Sequence, residues 1–364
     1  MHIQCTKEDL LNAVILVEKA VATQNTIPVL TGIQLTAKND VLTLTSTNLE
    51  LSIQTHISTH VTTAGQTVID GRLFSSIIRK LPNEPIIIEF TNKLVITAGT
   101  VEFSLNTLAD DEFPDFPIPV DEMFSIPAHK ILHMIKNTLY ACGKDDKRPY
   151  INGVLMELTN NNLKLITTDI NRLSYYATTL TDTFEDNYKL LVPAKTITEL
   201  QKSLPHDESE VKVFYFNKQV LFAFGNTILA TRLIESEFPN YQHLFPKNQP
   251  MQFISKRQIL LSAVDRASLL DSDGTQIVIF SITDGVLEIK TPTTEIGQII
   301  EQINVEHTGE NGQVAFSARY ILDMLKASDA DQISLEFNQE LRPSLLKPLN
   351  NQEHQYILMP IRLS

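Results

Sequence analysis

The chain has no tryptophan and only two cysteines in 364 residues, and it carries neither a long apolar run nor a basic-then-apolar N-terminus. Without an apolar stretch of about twenty residues there is no candidate transmembrane helix, and without the charged-then-apolar opening no signal peptide is predicted. Cys5 and Cys142 are too few for a disulfide framework, which predicts a reducing, cytoplasmic setting. There is no glycine-rich phosphate loop and no zinc-ligand spacing, so nothing in the chain predicts nucleotide or zinc binding. Positive charge is also scarce, with 30 Lys and Arg against 43 Asp and Glu. The net charge of −13, taken as a total, argues against a nucleic-acid binder, because long-range repulsion slows encounter with phosphate.

What is present is a unit of roughly 120 residues, a length within the usual range of single domains, written three times. Glu112-Phe113-Pro114 and Glu237-Phe238-Pro239 lie 125 positions apart, and TSTNLEL (45–51) and ITTDINR (166–172) lie 121 apart. The turns Lys38-Asn39-Asp40, Asn160-Asn161-Asn162 and Asp284-Gly285 each precede an alternating strand. Asn and Asp tolerate positive φ and Gly adopts it freely, so all three read as hairpins. The predicted domains are 1–122, 123–247 and 248–364.

Each copy also offers two amphipathic helices with apolar residues at helical spacing. The first set starts at Asp9, His129 (running to Ala141) and Lys256; the second starts at Gly71, Ala194 and Ser317. In two of them Leu-Pro closes the helix, because proline cannot continue it. The remainder alternates Thr, Val, Ile and Leu over short segments, which predicts three α+β domains, each a curved sheet carrying two helices on one side. Charge follows this division. Six helical windows (7–19, 70–80, 128–136, 195–202, 256–266, 316–326) hold 14 basic and 7 acidic residues, and the rest of the chain holds 16 basic and 36 acidic. Gathered on one side, such helices form a basic wall suited to a polyanion, with contacts to phosphate that are weak and salt-dependent. The plainer reading is that helices expose Lys and Arg to solvent.

Two catalytic constellations can be weighed. Asp110, Asp111, Glu112 and Asp115 are the type of carboxylate cluster that suits Mg²⁺, and a metal-dependent hydrolase is the alternative function. The second copy keeps only Glu235 and Glu237, with Asn240 at the last place, so a solvated acidic loop is the simpler account. Cys142 follows His133 by nine residues, and a Cys with a His can form a nucleophile pair. On one continuous helix that spacing sets the two on nearly opposite faces.

The chain resembles the β sliding clamp family, the processivity subunits of bacterial DNA polymerase III, over its whole length. The residues that carry the resemblance are Thr26-Ile-Pro-Val-Leu30, Phe103-Ser-Leu105, the two Glu-Phe-Pro segments, Thr168-Asp169 with Arg172-Leu173, Phe245-Pro246-Lys247 and Met359-Pro-Ile-Arg-Leu363. The resemblance implies three tandem clamp domains, each with two inner helices and an outer antiparallel sheet, forming a half ring. Two half rings join head to tail around duplex DNA, a heterologous contact that closes. It implies a homodimer contact through Phe103 and Leu105 against Leu269 and Leu270. It implies DNA-facing residues Arg72, Arg79, Lys80, Lys136, Arg148, Tyr150, Lys195 and Lys202.

It further implies a pocket for a short partner peptide of the Gln-Leu-x-Leu-Phe kind. Its lining would be Ile151, Thr168, Ile170, Asn171, Arg172, Leu173, Pro239, His243, Leu244, Ser344, Ile357, Met359, Pro360 and Ile361, with Arg362 beside it. For some of these, Leu173 among them, a place in the core is the plainer reading. The implied partners are double-stranded DNA, the polymerase III alpha subunit, the clamp loader and other proteins carrying the motif. Neither a membrane, a cofactor, a metal nor an enzymatic activity is implied. The chain departs from the family pattern at Gln24, where a basic residue is common, at Ile170, where a small residue is usual, and at Asn171 and His243, where His and Arg are common. A clamp-like paralogue that does not encircle DNA is a further alternative.

Overall fold

The computed structural model describes residues 1–23, 27–110, 112–119, 121–145, 147–181, 186–270, 276–293 and 297–363. Among the described residues six α-helices recur two per repeat: α1 Lys7–Val17, α2 Gly71–Lys80, α3 Ala128–Lys136, α4 Ala194–Ser203, α5 Arg257–Ala267 and α6 Ala318–Ala327. Local chemistry sets their ends. Thr6 caps α1 by accepting from the Asp9 amide at 3.1 Å, and Asp70 caps α2 by accepting from the Leu73 amide at 2.8 Å. The last bonds of α2 and α4 come from Leu81 and Leu204, donating to Ile77 and Leu200 at 3.0 Å, immediately before the prolines that stop them. Asp70→Ala is expected to lower stability by about 1 kcal/mol, read as a drop in melting temperature; an unchanged melting curve would show that the cap holds nothing.

One predicted helix ends early. The pattern from His129 to Ala141 stays α-helical only to Lys136, and Leu139–Ala141 is a separate 3₁₀ turn. Asn137 Nδ2 donates to the His133 carbonyl and Thr138 Oγ1 to the Met134 carbonyl, both at 2.8 Å. Such side-chain bonds compete with the helical ladder. Cys142 therefore lies beyond the helix that carries His133, and burial pushes its thiol up to about 12, which removes the thiolate a nucleophile needs.

The three predicted hairpins form where left-handed residues were expected: Asn39 and Asp40 at φ 53° and 55°, Asn160 at 55°, Asp284 and Gly285 at 48° and 86°. A further hairpin, at Asn217-Lys218 with φ 49° and 60°, escaped the sequence reading, since Lys is not a residue that announces positive φ.

The chain divides into two compact units, one comprising 1–129 with 198–233 and the other 130–197 with 234–364. A unit is thus larger than a repeat, and the sheets give the reason. In the first unit an eight-stranded antiparallel sheet runs from Gly65–Asp70 through Gly32–Lys38, Val41–Thr47 and Leu51–Ser58 of the first repeat. It continues into Thr227–Arg232, Gln219–Phe224, Glu210–Phe216 and Glu122–Pro127 of the second. A five-stranded sheet ends on Val101–Leu105. In the second unit a nine-stranded sheet joins Arg172–Thr179 of the second repeat to His354–Leu358 of the third, and a four-stranded sheet ends on Ile300–Asn304. The two junctions are built alike: Thr231 stands opposite Leu51 and Leu358 opposite Arg172. Just beyond each pair, the Arg232 amide donates to the Glu50 carbonyl at 3.1 Å and the Met359 amide to the Asn171 carbonyl at 2.9 Å.

Within the first unit α1 packs on α2 and on strand Leu51–Ser58; within the second, α5 packs on α6. The core beneath α5 and α6 is braced by edge-on ring contacts of Phe253 with Phe280 and of Phe280 with Phe316, at 6.1 and 6.0 Å, a geometry favoured by the ring quadrupoles.

Candidate functional site at the sheet junction and the basic helix faces

In the second unit the junction between Arg172–Thr179 and His354–Leu358 puts residues directly opposite one another on the same face of the sheet. Leu173, Ile357 and Leu345 stand in one such row. They pack into a cluster with Leu155, Ile166 and Tyr241, against which Leu244, Phe238 and Phe245 lie half-buried. The segment that ends the second repeat thereby covers the sheet, with Tyr241 near Tyr175 and Phe245 at 6.3 Å. Leu173, Ile357 and Ile151 are 2–3 % exposed and belong to the core, whereas Pro239, His243, Asn171 and Arg362 are exposed and Leu244, Pro360 and Ile361 half-buried.

The rim is a turn of defined construction. The Thr168 hydroxyl accepts from the Ile170 amide at 3.0 Å and donates to the Arg172 carbonyl at 2.6 Å. Asp169 Oδ1 accepts from the amides of Asn171 and Arg172 at 3.1 and 3.2 Å. These bonds hold Ile170 at φ 85°, a conformation that a β-branched residue rarely takes, with its side chain 43 % exposed. Gly143 sits against this turn, where a Cβ would lie 2.9 Å from Ile151 Cδ1 and 3.1 Å from Asp169 Cβ, so a larger residue would push the two apart. Met359, 36 % exposed, is tied to the turn through the Asn171 carbonyl.

Two expected pocket residues face the other way. Arg172 and Ser344 stand in the row of Leu358, which packs into the core on the helix side. They are 4 % and 0 % exposed. Adjacent strand residues point to opposite faces, so Arg172 and Leu173 cannot line one cavity together. Arg172 is a strut instead. Its guanidinium reaches Asp169 at 2.8 Å, Asp323 of α6 at 2.6 Å and the Tyr140 carbonyl at 2.6 Å. It also lies 4.4 Å from the ring centre of Tyr320. The Thr168 hydroxyl, buried and engaged within the turn, is likewise part of the frame. Sequence reasoning missed Tyr241, Phe238 and Leu345. The spacing of Phe238, Tyr241 and Phe245 is the signal that could have found the first two.

Of the expected DNA-facing cations, Arg72, Lys80 and Lys195 are exposed and carry no ion pair among the described residues. Arg79 pairs with Glu18 at 2.5 Å, Lys136 with Asp329 at 2.7 Å, Arg148 with Asp145 at 2.7 Å and Lys202 with Glu199 at 2.9 Å. Tyr150 is half-buried, its ring edge-on to Phe238 at 5.9 Å, so it belongs to the junction cluster. Phe103 and Leu105 are half-buried on a sheet-edge strand. Leu269, just past α5, is 78 % exposed, with Leu270 half-buried beside it. Gln24 and Asp111 lie outside the described residues. Among the described residues no group of three His, Cys, Asp or Glu could hold a metal ion, and no helix is long and apolar enough to cross a membrane.

Three tandem α+β repeats whose antiparallel sheets run on from one repeat into the next define the clamp class of protein. Residues 1–117, 125–240 and 242–362 match the models of the N-terminal, central and C-terminal domains of the DNA polymerase III beta subunit. The chain belongs to the DNA polymerase III beta subunit family, the bacterial sliding clamps. It is 31 % identical over 357 residues to the beta sliding clamps of Staphylococcus epidermidis and Staphylococcus aureus, covering 94 % of each chain. The crystal structure of the DNA polymerase sliding clamp from Bacillus subtilis matches with a TM-score of 0.97 at 30 % identity, and that of the DNA polymerase III subunit beta from Pseudomonas aeruginosa with 0.95 at 28 %, each over 100 % of both chains.

Proposed function

We propose that the chain is a non-enzymatic processivity factor of the cytoplasm, with domains 1–122, 123–247 and 248–364. Two copies close head to tail around duplex DNA, and the junction pocket docks the polymerase alpha subunit, the clamp loader and other motif-bearing proteins. The observation that carries this reading is the match of all three repeats, in order, to the three domains of the DNA polymerase III beta subunit. The sheet edges support the closure. Val101–Leu105 and Ile300–Asn304 each end a sheet, with Ile300 58 % exposed. Pairing one edge against the other of a second copy satisfies backbone groups that are otherwise open to aggregation. Phe103, Leu105, Leu269 and Leu270 would then bury apolar surface at the same contact.

Retention is topological: a closed ring cannot leave a long duplex sideways, so it needs no tight contact. The charges fit that requirement. Four of the seven candidate cations already hold a carboxylate, so contact with phosphate exchanges one partner for another and stays weak and salt-dependent. Weak contacts permit sliding. The part-exposed apolar side chains at the junction, Ile170, Met359 and Leu244, backed by the core of Leu173 and Ile357, suit apolar anchors of a partner peptide, where buried side chains carry most of the affinity.

The test is retention on nicked circular DNA after loading with the cognate clamp loader, measured by gel filtration at high salt before and after linearising the circle. Stable association with the circle and loss from the linear form are expected. Equal retention on both forms, with a loader shown to be active, would favour a paralogue that does not encircle DNA.

A further inference from the structure

A groove of about 760 Å³ lies beside the connection between the second and third repeats, with Gln242–Met251 on one side and Glu310 and the loop 338–343 on the other. Its walls are cross-braced. Asn338 Nδ2 donates to Gln249 Oε1 at 2.7 Å, Gln249 Nε2 donates to the Pro343 carbonyl at 2.8 Å, and the Glu310 amide donates to the Pro250 carbonyl at 3.0 Å. Asn338 Oδ1 also accepts from the Glu340 amide at 2.8 Å, which holds the loop in place. The cavity is therefore preformed, and its volume falls within the roughly 300–1,000 Å³ usual for ligand sites.

Two features bear on what fits it. His243 and Leu244 line the groove, and Leu244 also packs against the cluster that contains Leu173 and Ile357, so groove and peptide pocket share a wall. The groove is also rich in side-chain amides, of which Gln242, Asn248 and Gln339 are exposed. Each carries two donors and an acceptor, the complement of an extended backbone. Pro246, Pro250 and Pro343 offer no N–H of their own, and Lys247 is exposed without an ion pair among the described residues.

We propose that this groove continues the peptide pocket and takes the extended segment flanking a partner's apolar anchor, with an acidic residue of that segment set against Lys247. The inference rests on the pocket reading given above. It makes affinity depend on sequence outside the short motif, with main-chain hydrogen bonds supplying affinity and Lys247 supplying selectivity.

Two labelled peptides test it by fluorescence anisotropy. One carries only a Gln-Leu-x-Leu-Phe anchor; the other carries the same anchor with acidic residues in extensions on both sides. The extended peptide is expected to bind the natural chain about ten-fold more tightly, a difference of about 1.4 kcal/mol. Gln242→Ala/Gln339→Ala and, separately, Lys247→Glu are expected to remove most of that gain while leaving the anchor-only peptide unaffected. All three side chains are exposed, and the bond lost from Gln339 Nε2 to the Asn311 carbonyl is long at 3.4 Å, so the variants keep the fold. Equal affinity of the two peptides, or a gain that survives both variants, overturns the groove. Failure of both peptides to bind the natural chain overturns the pocket reading and this inference with it.

Discussion

Arg172→Met is expected to destabilise the second unit by about 3 kcal/mol, the lower end of the range for breaking a buried ion pair from one side. The guanidinium is 3 % exposed and holds Asp169 and Asp323, whose side chains are 14 % and 29 % exposed. Removing it takes the guanidinium donor from Asp169 Oδ2, Asp323 Oδ2 and the Tyr140 carbonyl, while Asp169 Oδ1 keeps its two backbone amides. Partial access of water to Asp323 keeps the loss from the upper end. Arg172→Lys should recover little, because an ammonium cannot reproduce the fork that serves Asp169, Asp323 and the Tyr140 carbonyl at once. Urea denaturation followed separately for the two compact units is the measurement. The second unit's transition should move and the first unit's should not, and a shift below about 1 kcal/mol would rule out the strut. The turn that carries Ile170 and Asn171 hangs on the same guanidinium through Asp169, so peptide affinity should fall along with stability.

Stability should also fall on mild acidification through His354. Its side chain is 1 % exposed, stacked on Tyr176 at 5.7 Å, with Nε2 3.4 Å from Ser174 Oγ and 3.5 Å from the Tyr140 hydroxyl. Burial, with the His133 charge adding to it, pushes its pKa down from 6.5 to about 4. The unfolded chain thus takes up a proton that the folded chain refuses between these values. The contribution of His354 is complete above pH 6.5 and declines as pH falls toward 4, with a total loss of roughly 3 kcal/mol. His354→Gln should remove this component, and the difference between the two stability curves from pH 4 to 7 isolates it from the other histidines and the carboxylates. Parallel curves over that range would show that His354 carries no linked proton.

Much of the local structure was legible. The Asn-Asp, Asn-Asn and Asp-Gly turns, the Leu-Pro helix ends and the six amphipathic patterns each report a preference set within a few residues, and each formed near its expected place, the pattern from His129 staying α-helical only to Lys136. The early end of α3 was legible too, since Asn137 and Thr138 are the residue types that bond back to the preceding turn. Strand parity could have shown that Arg172 and Leu173 face opposite ways. The partners of Arg172 were beyond reach: Asp323 is 151 residues away, and nothing near either residue announces the other.

The sequence by itself determined the three repeats, their helices and hairpins, and the residues from which a junction could be built. Tertiary structure alone decided that the sheets run across the repeat boundaries, that Ser344 and Arg172 are buried on the helix side of the junction sheet, and which cations hold a carboxylate. The physical reason is range. Turn and cap preferences act over three or four residues, whereas strand pairing and ion pairs between distant segments gain free energy only after the chain has paired and packed, and so leave no local mark on the residues that make them.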